Sequence, residues 1–231
     1  MATIHATGLS SAHYPAERAT VTALVMVSDA DRPVSMSRAS TLHNSLVSKA
    51  KQLVKAGDAV QFEARAASTY SHRVDHGNEP EATAHVEHTT TSSVSVELSN
   101  LGLVSELVLE LSEAGAQTDV RWSLTDESRR QHLREARQEA VHEARATADD
   151  YAAALGERVL NVTQITDQRE MSIGAAPGRA RLMMADPFVT APEITIEQVE
   201  VSAAVVGEFV SGVWLDVASN RQCDEQTVPR V

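Results

Sequence analysis

The chain has 231 residues and a formal net charge of −12, with 42% hydrophobic, 23% charged and only 3% aromatic residues. These proportions are typical of a soluble globular protein of one large or two small domains, and they indicate an aliphatic, alanine-rich core. The negative charge disfavours partners that carry phosphate, so we predict no nucleic-acid binding and no attachment to anionic membranes.

Cysteine usage and hydropathy indicate a location. Cys223 is the one cysteine, so no internal disulfide forms and nothing favours an oxidising compartment. The first 21 residues lack the basic segment and apolar core of a secretory signal, and no run approaches the ~18 apolar residues of a membrane helix. We therefore predict a cytoplasmic protein without membrane insertion.

The first elements form a strand–helix–strand unit. Pro15 marks a turn, and no element is assigned before it. Thr20–Val27 is an apolar, β-branched run that predicts a buried strand, and residues 60–68 alternate as a half-buried strand. A helix lies between them, with Ser35 as its N-cap and Gly57 as its C-terminal cap. Its apolar stripe is Ala39, Leu42, Leu46, Ala50, Leu53 and Val54.

A second unit repeats this order. Residues 70–82 are polar and predict a loop, and residues 84–98 alternate as a long strand. Asn100 is placed to cap a helix that ends at Gly115, and residues 120–124 alternate as a further strand. The stripe of this helix is Leu103, Leu107, Leu111 and Ala114. Two successive β-α-β units predict an α+β fold with a split βαβ, ferredoxin-like core, in which two helices cover a mostly antiparallel sheet.

A long helix follows, capped by Thr125 or Asp126. Roughly 30 residues give a rod of about 45 Å at 1.5 Å per residue, longer than a typical strand of ~20 Å. We therefore expect one end to overhang its sheet and to be free to meet another subunit. The predicted inner face is Leu133, Ala136, Ala140, Ala144, Ala148, Tyr151 and Leu155, and the outer face is charged.

The last third of the chain predicts two more strands. These are residues 158–166 and residues 193–210, joined by a long loop over residues 168–192. Residues 220–231 have the composition of a disordered tail. We predict a single domain over residues 1–212, followed by a flexible tail over residues 213–231.

The ordered set of these segments resembles the SIMPL-domain family over about residues 4–210. The segments that carry the resemblance are Thr7-Gly8, Arg18–Val21, Leu53–Gly57, Ala114-Gly115, Trp122–Asp126, the alanines of the long helix, Leu155-Gly156, Val159–Ile165 and Ile196–Val206. The resemblance implies a bacterial protein of unknown function without established enzymatic activity. Some family members form large oligomers, some are linked to oxidative-stress defence, and many are exported. The resemblance therefore implies a homo-oligomer.

Histidines are the candidate ligands for a metal. His72 and His76 lie in the predicted loop, and His85 and His88 lie on the next strand. Two histidines with a carboxylate can bind zinc, but His85 and His88 are an odd number of positions apart and so point to opposite faces of a strand. We therefore predict no metal and no cofactor, and we keep a small-ligand or metal-binding module at this histidine-rich hairpin as the alternative function.

Catalytic patterns do not emerge from the sequence. It contains no G-x-S-x-G nucleophile motif and no glycine-rich phosphate loop of the common types. Residues 173–181 (IGAAPGRAR) contain two glycines and two arginines that could bind an anion, although a plain loop explains them better. We therefore expect a protein that is not an enzyme and that associates with itself.

Overall fold

The computed structural model describes residues 1–74, 85–168 and 194–213. In chain order its elements are β1 (Ala2–Pro15), β2 (Arg18–Asp29), α1 (Arg32–Ala56), β3 (Ala59–Val74), β4 (His85–Leu98), a short 3-10 helix (Leu101–Leu103), α2 (Val104–Glu113), β5 (Gln117–Ser123), α3 (Asp126–Ala154), β6 (Arg158–Gln168) and β7 (Gln198–Gly212).

These elements are divided between two compact units. The first contains residues 1–12 and, among the described residues, 131–168 and 201–213. The second contains residues 13–130 and 194–200, again as far as they are described. The single domain over residues 1–212 stays a prediction, and the predicted tail lies outside the described residues from residue 214 onward.

The second unit has the predicted split βαβ core. Its sheet has the strand order β3-β4-β2-β5, and the β2/β4, β2/β5 and β3/β4 pairs are antiparallel. One face of each strand and one stripe of α1 and α2 form the core. Its largest members are Val21, Val25, Leu46, Val94, Val96, Leu98, Val104, Leu107, Val108 and Leu111. The predicted α+β class is confirmed.

The first unit is a second, three-stranded sheet with the order β1-β7-β6, covered by α3. β7 pairs antiparallel with β6, with two register shifts along the pair. The buried residues are Ile4, Ala6, Ala136, Ala140, Ala144, Ala148, Ala152, Ala203, Val205 and Phe209. The alanine ridge of α3 therefore packs on a sheet formed by both ends of the described chain.

Several predicted boundaries are wrong. The sequence assigns no element before Pro15, whereas the structure has β1 there; Ala6 and Gly8 on its inward face are small and give a weak alternation signal. Residues 70–74 belong to β3 and not to a loop, since they continue the pairing with β4 from Tyr70 opposite Thr89 to Val74 opposite His85. The last strand begins at Gln198, and residues 194–197 form no regular element.

Ser35 is not the N-cap of α1. Asp31 occupies that position and Pro33 lies in the first turn, where its missing N–H costs no hydrogen bond. The C-terminal prediction is confirmed, since Gly57 ends α1 in the left-handed conformation with φ of 86°.

Two members of the predicted inner face of α3 are wrong. Tyr151 is 55% exposed and Leu155 is 63% exposed, whereas Ala152 is fully buried. The ridge keeps a strict four-residue spacing from Ala136 to Ala152, and neither Tyr151 nor Leu155 falls on that row. The predicted overhang of α3 assumed strands of about 20 Å. β7 has 15 residues and extends about 50 Å at 3.3 Å per residue, so it is as long as α3.

Candidate interaction surface

β1 is an edge strand of the three-stranded sheet, with β7 as its neighbour on one side. It runs for 14 residues without an Asp, Glu, Lys or Arg. The side chains of Thr3, His5 and Thr7 are exposed on its outer face, and Leu9 is 63% exposed. A long, uncharged edge presents unpaired N–H and C=O groups that invite pairing with another chain.

The other edge strands are protected in the usual ways. β5 is only seven residues long and carries Asp119 and Arg121. β3 carries Glu63 and Arg65 and has two register shifts along its pairing with β4. β6 has two register shifts of its own. Charges, bulges and short length all discourage edge pairing, so β1 is the least protected edge in the described part of the chain.

Behind β1, the strand backbone touches the backbone of α3. A methyl group placed on Gly8 would fall on the carbonyl oxygen of Ala140 and lie 2.5 Å from the amide nitrogen of Ala144. Ala140 and Ala144 are fully buried. Glycine on one side and alanine on the other therefore hold β1 flat against the helix.

The N-terminus of α3 is held by a carboxylate within the second unit. The Thr125 N–H and hydroxyl donate to Glu17 Oε2 at 2.9 and 2.6 Å, and the Ser128 hydroxyl donates to Glu17 Oε1 at 2.8 Å. The Ser128 N–H donates to Thr125 Oγ1 at 3.3 Å, so Thr125 is the N-cap, one of the two residues predicted for that position. The hydrogen bonds from the Thr125 side chain and backbone and from Ser128 lower the pKa of Glu17 to about 2.

Glu17 predicts a pH-dependent stability. Because its folded pKa lies below the ordinary value of 4.5, the unfolded chain takes up the proton first. Its contribution is therefore fully present above pH 4.5 and is lost as the pH falls from 4.5 towards 2. We expect Glu17→Gln to reduce the free energy of unfolding at neutral pH by about 1 kcal/mol and to flatten its decline in that window.

Urea unfolding between pH 7 and pH 2 measures this effect. Glu113→Gln is the control, since Glu113 is an exposed carboxylate at the end of α2. A Glu17→Gln variant with the same pH profile as the wild type would show that this carboxylate does not stabilise the helix.

The buried polar side chains of the described residues all carry hydroxyls: Ser35, Thr89, Thr90, Ser92 and Ser211. Ser35 Oγ donates to the Val27 carbonyl at 2.8 Å and lies 2.8 Å from Thr90 Oγ1. Each buried side-chain polar atom of the described residues has a hydrogen-bond partner. These groups join elements of the fold and leave no unpaired polar atom to aim at a ligand.

The apolar core contains a cavity that is too small for a drug-sized ligand. One cavity of about 10 Å³ lies in the apolar core between α1, α2 and the four-stranded sheet, lined by Leu46, Leu53 and Leu107 among others. That volume is about the size of one water molecule, and a drug-sized ligand needs at least about 300 Å³.

A family model settles the resemblance. The model for SIMPL, described as a protein of unknown function (DUF541), matches residues 4–209. The chain belongs to the SIMPL family. The match spans nearly the whole described fold, from β1 to β7, and confirms the family predicted from the sequence. Among curated proteins, no sequence matches this SIMPL protein.

The β3/β4 pairing of the SIMPL chain separates His72 from His88. His72 Nε2 lies 3.2 Å from Glu87, while His88 Nδ1 lies 2.7 Å from Ser71 Oγ. The β3/β4 register pairs His72 with Glu87 and Ser71 with His88, so His72 and His88 lie on opposite faces. His85 pairs with Val74 through the backbone, and His76 lies outside the described residues. No group of three ligating residues occurs among the described residues, and metal analysis of untagged protein is the measurement that decides this prediction.

Other sequence predictions lie outside the described part of this SIMPL protein. They are the 173–181 anion loop, most of the 168–192 loop, and Cys223. No described helix is both long enough and apolar enough to span a membrane. Sequence reasoning missed Glu17, because the residues that donate hydrogen bonds to it follow about 110 positions later. The absence of charged residues along β1 could have been seen in the sequence and would have pointed to this edge.

Proposed function

We propose that this SIMPL protein is a non-enzymatic, self-associating structural or interaction protein that works in a stress-related setting. The observation that carries the proposal is the β1 edge, which is long and uncharged and has no strand partner on its outer side among the described residues. A strand from a second copy would satisfy its backbone groups by strand addition.

Charge supports β1 as the contact. Two copies that each carry −12 repel one another at long range, so contact is favoured where the local charge is lowest. β1 has no formal charge over its 14 residues, and exposed Leu9 adds an apolar side chain next to the edge. Burial of that side chain would contribute about 1.5–3 kcal/mol at most.

The non-enzymatic part of the proposal is supported by the chemistry of the described residues. Acid–base and nucleophilic catalysis needs ionisable groups that converge in a cleft, often with strongly shifted pKa values. Among the described residues the one large pKa shift is that of Glu17, and its donors hold the start of a helix. The described buried polar side chains are all hydroxyls and bind neighbouring elements.

We expect Leu9→Lys to weaken self-association, because the charged lysine side chain would have to lose water when a strand is added at this edge. Light scattering across micromolar concentrations measures the mass of the wild type and the variant. Leu155→Lys is the matched control, since Leu155 is also 63% exposed but lies after the end of α3. We expect about a tenfold higher concentration for assembly in Leu9→Lys and no change in the control.

A strictly monomeric wild type over this range would contradict the proposal. Equal assembly by both variants would show that β1 is not the contact. The stress-related setting is tested by the peroxide sensitivity of a host that lacks the gene. The cytoplasmic location and the lack of nucleic-acid binding stay predictions, which cell fractionation and a binding titration decide.

A further inference from the structure

The four-stranded sheet has a second face, which points away from α1 and α2. Alternate residues of a strand point to opposite faces, and Val21 on β2 and Val94 on β4 face the helices in the core. Thr22 and Ser95, which lie opposite each other, therefore point to the other face. Both side chains are only half-buried although β2 and β4 are the two central strands, so the described residues leave this face accessible. We call it the open face.

Hydroxyl groups occupy the centre of the open face. Thr22 Oγ1 lies 3.0 Å from Ser95 Oγ, and Ser68 Oγ lies 3.2 Å from Thr91 Oγ1, so hydroxyls pair across neighbouring strands. Such a pair uses one O–H group for its own bond and keeps the other O–H group and further lone pairs for a ligand. The open face therefore presents hydrogen-bond donors and acceptors in rows along its strands.

The centre of the open face carries no formal charge. No Asp, Glu, Lys or Arg occurs in residues 19–28 of β2 or in residues 89–95 of β4. On the edge strand β3, Glu63 and Arg65 form an ion pair with each other at 3.2 Å. Because the whole chain carries −12, polymers that bear phosphate or sulfate are repelled, and the neutral centre offers no charge to a cationic partner.

One end of the open face adds apolar side chains to these hydroxyls. Tyr70 is 52% exposed and Met26 is 47% exposed. The His72 ring lies beside the Tyr70 ring, with centroids 5.9 Å apart, and His72 Nε2 lies 3.2 Å from Glu87 Oε2. An aromatic face next to hydroxyl and carboxylate groups matches a sugar ring, which has apolar C–H faces and a rim of hydroxyls.

We propose that the open face binds a neutral, extended polysaccharide chain, with the Tyr70 ring stacked on one sugar and the hydroxyls of β2 and β4 bonded to the sugars beside it. From Glu87 to Ser95, β4 extends about 26 Å at 3.3 Å per residue, which gives room for several sugars in a row. This inference goes beyond the proposed self-association and makes no use of the β1 edge.

The arrangement of polar groups favours a polysaccharide over a protein partner. A protein interface has an apolar, well-packed centre that is surrounded by a polar rim. The open face has hydroxyls at its centre, with Thr91 and Ser95 half-buried there, and its exposed tyrosine lies towards one end on the edge strand β3. A hydroxyl-lined centre suits a partner that carries hydroxyls along its whole length.

The test is an NMR titration of the full chain with cellohexaose and with chitohexaose, two neutral and extended oligosaccharides. We expect chemical-shift changes confined to β2, β3 and β4. Tyr70→Ala should weaken binding about tenfold, and Tyr70→Phe should bind as the wild type does, because the ring and not its hydroxyl stacks on the sugar. Tyr151→Ala is the matched control, since Tyr151 is 55% exposed and lies on α3.

A second pair of variants tests the hydroxyl rows. Thr91→Val keeps the shape and the β-branched character of the side chain but removes its hydroxyl, and it should weaken binding about three- to tenfold. Thr7→Val is its control, since Thr7 is an exposed threonine on β1. Unfolding midpoints show whether all variants fold, and a hyaluronan hexasaccharide, which is extended but acidic, should bind more weakly than the neutral sugars.

Three results would overturn the proposal. They are a wild type whose spectrum changes with neither neutral oligosaccharide, Tyr70→Ala and Thr91→Val variants that both bind as the wild type does, and tighter binding of the hyaluronan hexasaccharide. The titration reads sugar binding and not the mass of the protein. A failure here therefore leaves the proposed self-association standing, and a monomeric wild type that binds the sugars would contradict only the self-association.

Discussion

Gly8→Ala is expected to destabilise the protein by about 3 kcal/mol or more, through overpacking of β1 against α3. The added methyl group would fall on the Ala140 carbonyl oxygen, and both partners are backbone atoms that no rotamer change can move. Elsewhere in a strand this substitution tends to stabilise, because glycine loses more conformational entropy on folding. The clash outweighs this entropic gain, so the net change in the free energy of unfolding is destabilising. Chemical denaturation gives the free energy of unfolding for the comparison.

Gly102→Ala is the matched control for this prediction. Its added methyl group would meet only Asn100 Oδ1 at 3.4 Å, and Gly102 is exposed. We expect a change within about 0.5 kcal/mol. If both variants unfold at the same denaturant concentration, β1 and α3 do not lie in backbone contact at Gly8.

The second large effect is expected on the alanine ridge. Ala144→Leu adds three carbons at a fully buried position and should cost about 1–3 kcal/mol, because the core cannot expand without moving the helix from its sheet. Ala140→Glu should cost more, since it buries a carboxylate without a partner. Thermal and urea unfolding of both variants measures these changes.

Ala146 provides the control on the same helix, since it is exposed on the outward row. Ala146→Leu and Ala146→Glu should leave the free energy of unfolding within about 0.5 kcal/mol of the wild type. Equal melting temperatures for the ridge and outward variants would mean that the buried face of α3 is assigned wrongly.

The sequence was most informative where structure depends on neighbouring residues. α1 and its Gly57 stop, a cap of α3 at Thr125 or Asp126, and the buried alanines from Ala136 to Ala148 were predicted, because helix periodicity and capping are local. Errors came where several local patterns compete. Ser35 fits an N-cap by residue type, but its hydroxyl binds the Val27 carbonyl in the core.

Only part of the candidate interaction surface could be predicted from the sequence. The charged outer face of α3 could be predicted from the sequence, but the strand that each of its side chains meets could not. That assignment needed the Arg137–Asp167 ion pair, whose partners are 30 positions apart. For the candidate histidines the sequence was enough, since the odd spacing of His85 and His88 already argued against a shared metal site.

By itself, the sequence determined the order of helices and strands from β2 onward, the split βαβ core and membership of the SIMPL family. It could do so because hydrophobic periodicity, caps and glycine stops act within one or two turns of chain. The tertiary structure alone decided that the chain has a second sheet, in which β1 and β7 pair from opposite ends of the described residues. Strand pairing joins residues that are far apart in sequence, so the uncharged β1 edge and the contact of Gly8 with Ala140 arise only when the chain folds.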